Sequence, residues 1–343
     1  MPRRPTIADL ARAAGVSLAT VDRVLNDRQP VREATALRVY EAATSMGYHA
    51  APLIRHRMAQ DLPELTIGIL LQKPEQAFYQ DLRRALESAA AAVTTARIRL
   101  VVDFLTQQHP ADIVDKLAQL GARSQAVAMT SIDHPRITDA VAQLAERGVP
   151  VYSLLSDFAQ GVRRGYVGIN NLRVGRTAAW MIARGLPDGA EVGLFVGGHR
   201  WHGHELRETG FRSYCRESVA GVRVLDALVN LETPELAYEA TLDLMARRPA
   251  LAGIYCAGGG MEGTIQAIRD EGAGRGIALV VNELTEVSRM ALDDGIVALV
   301  IATPLRRLAG ELLNLMLAAA NTPPGQAQGQ VFLPMDLHLP ESL

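Results

Sequence analysis

From residue 66 onward, short β-rich apolar runs alternate with helical stretches, and no other feature of this chain limits its fold so strongly. The runs fall at 66–71 (TIGILL), 97–105, 125–130 and 149–155, and again at 191–197 (EVGLFVG), 222–230, 251–257 and 277–283. Runs separated by helix-length segments are too far apart to close as hairpins, so the pattern predicts parallel strands joined by crossover helices. TIGILL and EVGLFVG, each followed by a helix, open two similar halves, although no sequence repeat connects them. The expected body is therefore α/β, two doubly wound parallel-sheet lobes. A length of 343 residues fits two or three units, and 48% hydrophobic with 21% charged residues is a globular balance.

The first 50 residues follow a different period and predict an all-α helix-turn-helix head. Thr6 caps a helix with Ile7, Leu10, Ala11 and Ala14 on one face, and Gly15 supplies a left-handed turn. Val16 plugs the corner, and Ser17 caps a second helix with Val21, Val24 and Leu25 inward. A third helix, about Glu33 to Met46, offers Ala36, Leu37, Val39, Tyr40 and Ala43 to the core and ends at Gly47. Small residues at the crossing let the second helix lie steeply against the first, leaving Leu18, Ala19, Asp22 and Arg23 free for a major groove. Arg23 can present a bidentate fork to guanine, Leu18 and Ala19 suit thymine methyls, and Thr6, Ser17, Thr20 and Asn26 can bond phosphates. Asp22 either accepts from cytosine or orients Arg23. Charge agrees with this division: residues 1–60 hold nine arginines against five acids, a net of +4, and the remainder carries −6. A basic tip on an acidic body places counterion release at one end.

The segment TIADLARAAGVSLATVDRVLNDRQPVREATALRVYEAATSMGYHA resembles the DNA-binding head of the LacI/GalR repressor family in content, order and spacing. The resemblance adds Tyr48, Arg57 and Met58 to the DNA-facing set. In that family the segment after the head forms a hinge helix, here expected within 51–64, which drives a leucine into the minor groove. The wedge position falls on Arg57, with Met58 adjacent, so Met58 serves as wedge, Arg57 enters a narrowed groove, or the segment is a plain tether. The body, 65–343, resembles the type I periplasmic binding protein fold. This implies crossings between lobes around Ile169–Asn171, around Ala302–Pro304 and near Val331, with lobe one about 65–170 plus 303–330 and lobe two about 171–302. It also implies a ligand cleft at the carboxyl ends of the strands. The family's aromatic pair falls on Phe78 and Tyr79, the latter equally suited to a core. Asp157, Glu205, Arg207 and Glu283 stand where the family places ligand contacts, a mixture of carboxylates and guanidinium suited to a sugar or polyol effector. Gly258 and Gly259 replace an Asn-Asp, and Ala302 and Thr303 a Gln-Asp, of many sugar-binding relatives.

Function is thus expected to be effector-controlled transcription regulation, most simply repression, without catalysis or cofactor. The rival is an NAD(P)-dependent oxidoreductase: GGGMEG (258–263) fits GxGxxG after an apolar run, with Glu283 twenty residues beyond, but it lies mid-lobe rather than opening a domain. An exported solute receptor is a second rival. It is disfavoured by the attached head and by MPRRPTIADL, which leads into a capped helix without an apolar signal core, so the expected compartment is the cytoplasm. His199, His202 and His204 cluster around Trp201 without a matching ligand set, so no metal is expected. Cys215 and Cys256 read as small core residues, and the run Leu312–Ala320 is too short to span a bilayer and reads as a packed helix. A homodimer is expected, because two heads about a twofold axis read a pseudo-palindrome, while LHLPESL at the end carries no tetramerising heptads.

Overall fold

A computed structural model describes residues 5–26, 31–54, 62–219, 221–272, 276–320 and 329–342. Two compact units divide the chain, the first comprising the part up to Leu65 with residues 92–99, the second the rest. In the first, α1 (Ile7–Ala14), α2 (Leu18–Asn26) and α3 (Glu33–Ser45) form the head. Thr6 opens α1 with a reciprocal cap: its hydroxyl accepts from the Asp9 amide while its own N–H donates to Asp9 Oδ2 at 3.0 Å. Gly15 ends the helix at φ 62°, where a side chain would clash with its own backbone. Leu10, Ala11, Ala14, Val21, Val24, Leu25, Val39 and Ala43 fill the core, joined by Tyr48 and Ile54. Ile7 and Leu37, expected inward, are exposed, because the helices present them at the rim of the apolar stripe. Residues 51–54 are helical and Ile54 is fully buried, so the head runs beyond residue 50 into the expected hinge.

The second unit holds both lobes. In lobe one the strands are β1 (Glu64–Gln72), β2 (Arg97–Leu105), β3 (Ala126–Met129), β4 (Val151–Leu154), β5 (Gly165–Ile169) and β11 (Gln330–Leu333), ordered β11-β5-β4-β3-β1-β2. In lobe two they are β6 (Glu191–Val196), β7 (Arg223–Val229), β8 (Leu251–Cys256), β9 (Ala278–Asn282), β10 (Val297–Ala302) and β12 (Asp336–His338), ordered β12-β10-β9-β8-β6-β7. The first five strands of each lobe are wound identically, so the two halves share a topology that their sequences do not display. Crossover helices α4 (Ala77–Ala92), α5 (Pro110–Gly121) and α6 (Pro135–Glu146) serve lobe one. Lobe two has α7 (Asn171–Ala183), α8 (His202–Ser218), α9 (Pro234–Arg247), α10 (Met261–Asp270) and α11 (Glu286–Asp293). Central strands β3, β4 and β6 are buried along their whole length, as two-sided coverage demands.

The chain crosses after β5, returns after β10 into α12 (Leu305–Ala320), which packs on β5, and crosses last between Leu333 and Asp336. At this last crossing the lobes diverge, since β11 joins β5 in parallel, whereas β12 joins β10 antiparallel. Lobe two therefore extends past 171–302 to include 336–338. Leu308, Leu312, Leu313 and Met316 of α12 are buried, and Cys215 and Cys256 are buried free thiols. Among the described residues no helix is long and apolar enough to cross a membrane.

Candidate functional site

A cleft of about 750 Å³, its open mouth included, lies where strands of both lobes end. Lobe one contributes Gln76, Phe78 and Tyr79 from the start of α4 and the loop before it, with Thr130, Leu155 and Ser156 from the ends of β3 and β4. Lobe two contributes His204 and Arg207 from α8, Glu232 after β7, Gly258–Glu262 after β8, and Glu283 after β9. Arg207 is held rigid: its Nε donates to Asn171 Oδ1 at 2.7 Å and its Nη1 to the Ala257 carbonyl at 2.6 Å. Glu283 accepts from both the Thr303 amide and hydroxyl at 2.8 Å. Its backbone sits at φ 72°, a conformation costing roughly 1–3 kcal/mol that tertiary packing must impose. Burial pushes its carboxyl pKa up, against the pull of Arg207 and Thr303.

Burial likewise raises the Tyr79 phenol, with Glu232 and Glu283 adding to the shift. His204 shows the opposite response, since burial, then Arg207 and Lys73, lower it to about 3. Its Nδ1 accepts from the Gly197 amide at 3.2 Å, so the neutral ring carries its proton on Nε2, 3.7 Å from Glu232 Oε1.

The lobes are closed on each other. Lys73 Nζ of lobe one donates to the carbonyls of Leu231 at 2.7 Å and Glu232 at 3.2 Å, and Gln76 adds a 3.1 Å bond to the latter. On the other flank Trp201 of lobe two is buried in the apolar core of lobe one, with its indole N–H on Gln108 Oε1 at 3.2 Å. Beside it the Gly203 amide donates to Ser156 Oγ at 3.0 Å, and the Asp133 amide to the Arg200 carbonyl at 2.9 Å.

On the head, Leu18 (56% exposed), Ala19, Arg23 and Asn26 form an uncovered row on α2, while Val21, Val24 and Leu25 occupy its buried side. Ser17 caps the helix by accepting from the Thr20 amide at 3.2 Å, and the two hydroxyls lie 2.9 Å apart.

A family model of the bacterial regulatory proteins of the lacI family matches residues 6–51, and one of the periplasmic binding protein domain matches 67–325. The chain belongs to the lacI family. It is 25% identical to the HTH-type transcriptional regulator GalR of Escherichia coli K12 over 342 residues, 96% of this chain and 93% of that protein. The body shares its fold with a solute-binding protein from Burkholderia graminis C4D1M solved with D-arabinose, at TM-score 0.73 and 17% identity, over 81% of this chain and 96% of that one. A second, from Actinobacillus succinogenes 130z with D-allose, gives TM-score 0.72 and 18% identity over 81% and 98%. This lacI-family chain is thus a DNA-binding transcriptional regulator with a small-molecule domain.

Within this regulator, Phe78, Tyr79, Arg207 and Glu283 meet in the cleft, but two other candidates do not. Asp157 is buried inside lobe one, clamped by Arg163 and accepting from Ser153 Oγ at 2.6 Å and Gln330 Nε2 at 2.8 Å. Burial alone would raise its pKa, but Arg163, Ser153 and Gln330 outweigh it and hold it low. The carboxylate ties β4 to β11 and has no capacity left for a ligand. Glu205 points to solvent and faces His202 at 3.5 Å, because its place on α8 is two residues from the cleft face that Gly203 and Arg207 share.

Tyr48 is packed in the head core, so its ring is structural, and Arg57 and Met58 lie outside the described residues. Asp22 accepts from Asn26 Nδ2 at 2.6 Å, orienting that amide. The glycines of GGGMEG answer to packing: a Cβ on Gly258 would stand 2.6 Å from the His204 ring and one on Gly259 2.9 Å from Glu232 Cβ, while Gly260 turns at φ 86°. Side chains packed beneath the loop account for these three glycines. Glu232, which lines the cleft, and Lys73, which ties the lobes together beside it, had no signal in local sequence beyond proximity to strand ends.

Proposed function

We propose that the protein is a homodimeric cytoplasmic repressor that binds a pseudo-palindromic operator and changes its affinity when a sugar- or polyol-sized effector occupies the cleft. In this reading each α2 enters a major groove, Arg23 reads guanine, Leu18 and Ala19 meet thymine methyls, and Thr6, Ser17, Thr20 and Asn26 grip phosphates. Thr6 and Ser17 do so while capping helices, an arrangement that points the adjoining amides at the backbone as well. Phe78 and Tyr79 cover an apolar sugar face, and Arg207 and Glu283 bond its hydroxyls. His204, neutral and buried against Glu232, suits recognition of a ligand's hydroxyls.

The observation that carries the reading is the pairing, in one chain, of the exposed α2 row with a two-lobed cleft whose closure rests on hydrogen bonds between the lobes. Such bonds form or break as occupancy changes, giving two states that a ligand can bias. Arg23→Ala tests the DNA half: binding to a duplex selected from random sequence should weaken by about 1–3 kcal/mol, with far less change on unselected DNA. Equal loss on both duplexes would remove Arg23 from base reading.

A further inference from the structure

The charge of the cleft is one-sided. Its charged lining residues are Glu232, Glu262, Glu283 and Arg207, all from lobe two, so three carboxylates face a single guanidinium. Lys73 Nζ of lobe one stands 3.9 Å from Glu232 Oε2, so carboxyl groups outnumber cationic side chains here by three to two. His204 adds none, because its buried ring is neutral. Two of these groups are already committed: Arg207 to Asn171 and Ala257, and Glu283 to Thr303.

Glu232 differs. Its side chain is 8% exposed, Oε1 accepts a 3.4 Å bond from the Gly259 amide, and Oε2, which faces Lys73 Nζ at 3.9 Å, beyond hydrogen-bond distance, has no hydrogen-bond donor among the described residues. A buried carboxylate oxygen without a donor costs free energy that a ligand's N–H or O–H recovers. Glu262 stands near enough for burial and then the charge of Glu232 to raise its carboxyl pKa. Both carboxyl groups line the same lobe-two wall, so a cation docked on Glu232 is attracted by Glu262 as well.

We propose that the effector carries a protonated amine on a sugar- or polyol-sized body, docked on Glu232 within the field of Glu262. This rests on the reading of the cleft as the effector site. A sugar acid or sugar phosphate would add negative charge beside Glu232, and a neutral polyol would satisfy Oε2 but leave the excess charge buried. Lobe one, which lines the cleft with Phe78 and Tyr79 and no charged side chain, would take the apolar face of the same molecule.

The test is calorimetric titration of the full chain with D-glucosamine, D-galactosamine and D-mannosamine. Each is compared with its neutral parent, its N-acetyl derivative and the corresponding uronic acid, at about pH 6.5, below the ordinary range of such amines. At least one amine should bind about tenfold or more tightly than its parent and its N-acetyl form, the margin of a charge-assisted over a neutral hydrogen bond. Glu232→Gln, checked for an unchanged melting curve without ligand, should abolish that margin, so that amine and parent bind with equal affinity.

A parent sugar or uronic acid binding as tightly as every amine would overturn the proposal and leave the cleft reading standing. Amine binding that persists unchanged in both Glu232→Gln and Arg207→Ala would place the ligand elsewhere and overturn both readings. Silence of all the amines would overturn the proposal regardless of the neutral sugars.

Discussion

The two lobes wind their first five strands in the same order yet bring opposite chemistry to the cleft between them. Lobe one supplies Phe78, Tyr79, hydroxyls and an amide, and it keeps its strongest charge pair, Asp157 with Arg163, locked inside its own framework. Lobe two places Arg207, Glu232, Glu262 and Glu283 on the cleft wall. A shared winding thus sets where strand ends and loops converge, while the side chains on those loops decide which lobe recognises and which one supports. Closure uses one ion from lobe one, Lys73, whose ammonium meets the Leu231 and Glu232 carbonyls of lobe two, while Gln76, Gln108 and Ser156 cross between the lobes as neutral groups.

The comparison breaks most visibly if lobe one's buried pair is removed. Arg163→Ala leaves the Asp157 carboxylate buried and unpaired and should cost about 3–5 kcal/mol in denaturant unfolding, with little change in effector affinity where the protein remains folded. Because Asp157 is held below its ordinary pKa, its stabilisation is present above the unfolded value of about 4 and is lost as pH falls through the folded one. Arg163→Ala should therefore raise the pH at which acid unfolds the chain. A large change in effector selectivity instead would mean that lobe one recognises as well as supports.

A smaller effect, about 3 kcal/mol against the closed form, is expected for Trp201→Ala, which empties a slot in lobe one's core. In Trp180→Phe, which removes the exposed indole, emission from Trp201 should be blue-shifted when closed and move red on opening. Normal effector affinity in Trp201→Ala would show that this flank does not govern closure. The smallest effect belongs to Phe78→Ala, about 1 kcal/mol in titration calorimetry, the scale of an aromatic contact. A loss matching that of Arg207→Ala would erase the contrast between the lobes.

Much of the framework was legible in sequence because its signals are short-ranged. Eight apolar runs became β1–β4 and β6–β9 with ends shifted by a residue or two. β5 and β10, only five and six residues long, were hidden at the crossings, and β11 and β12, four and three residues, sit at sheet edges where half their side chains face water. Asp157 was misassigned for a physical reason: a carboxylate after a strand reads the same whether it faces a ligand or an arginine six residues on. Glu205 failed by helical phase, a matter of about 100° per residue that only packing against a neighbour resolves. Phe78, Tyr79, Arg207 and Glu283 were reached through family resemblance, since nothing within a few residues of any of them marks a cleft.

By itself the sequence determined the capped and turned helices of the head, the uncovered row on α2, and the alternation that forces parallel sheets. These follow from contacts between residues one to four positions apart, which the order of residues states directly. Tertiary structure alone decided that Glu232 lies beneath Gly259, that Arg207 locks onto Asn171 and Ala257, and that Trp201 belongs to the other lobe's core. Those partners are 27 to 50 positions apart or stand in different lobes, and their energies depend on how much water folding removes around them.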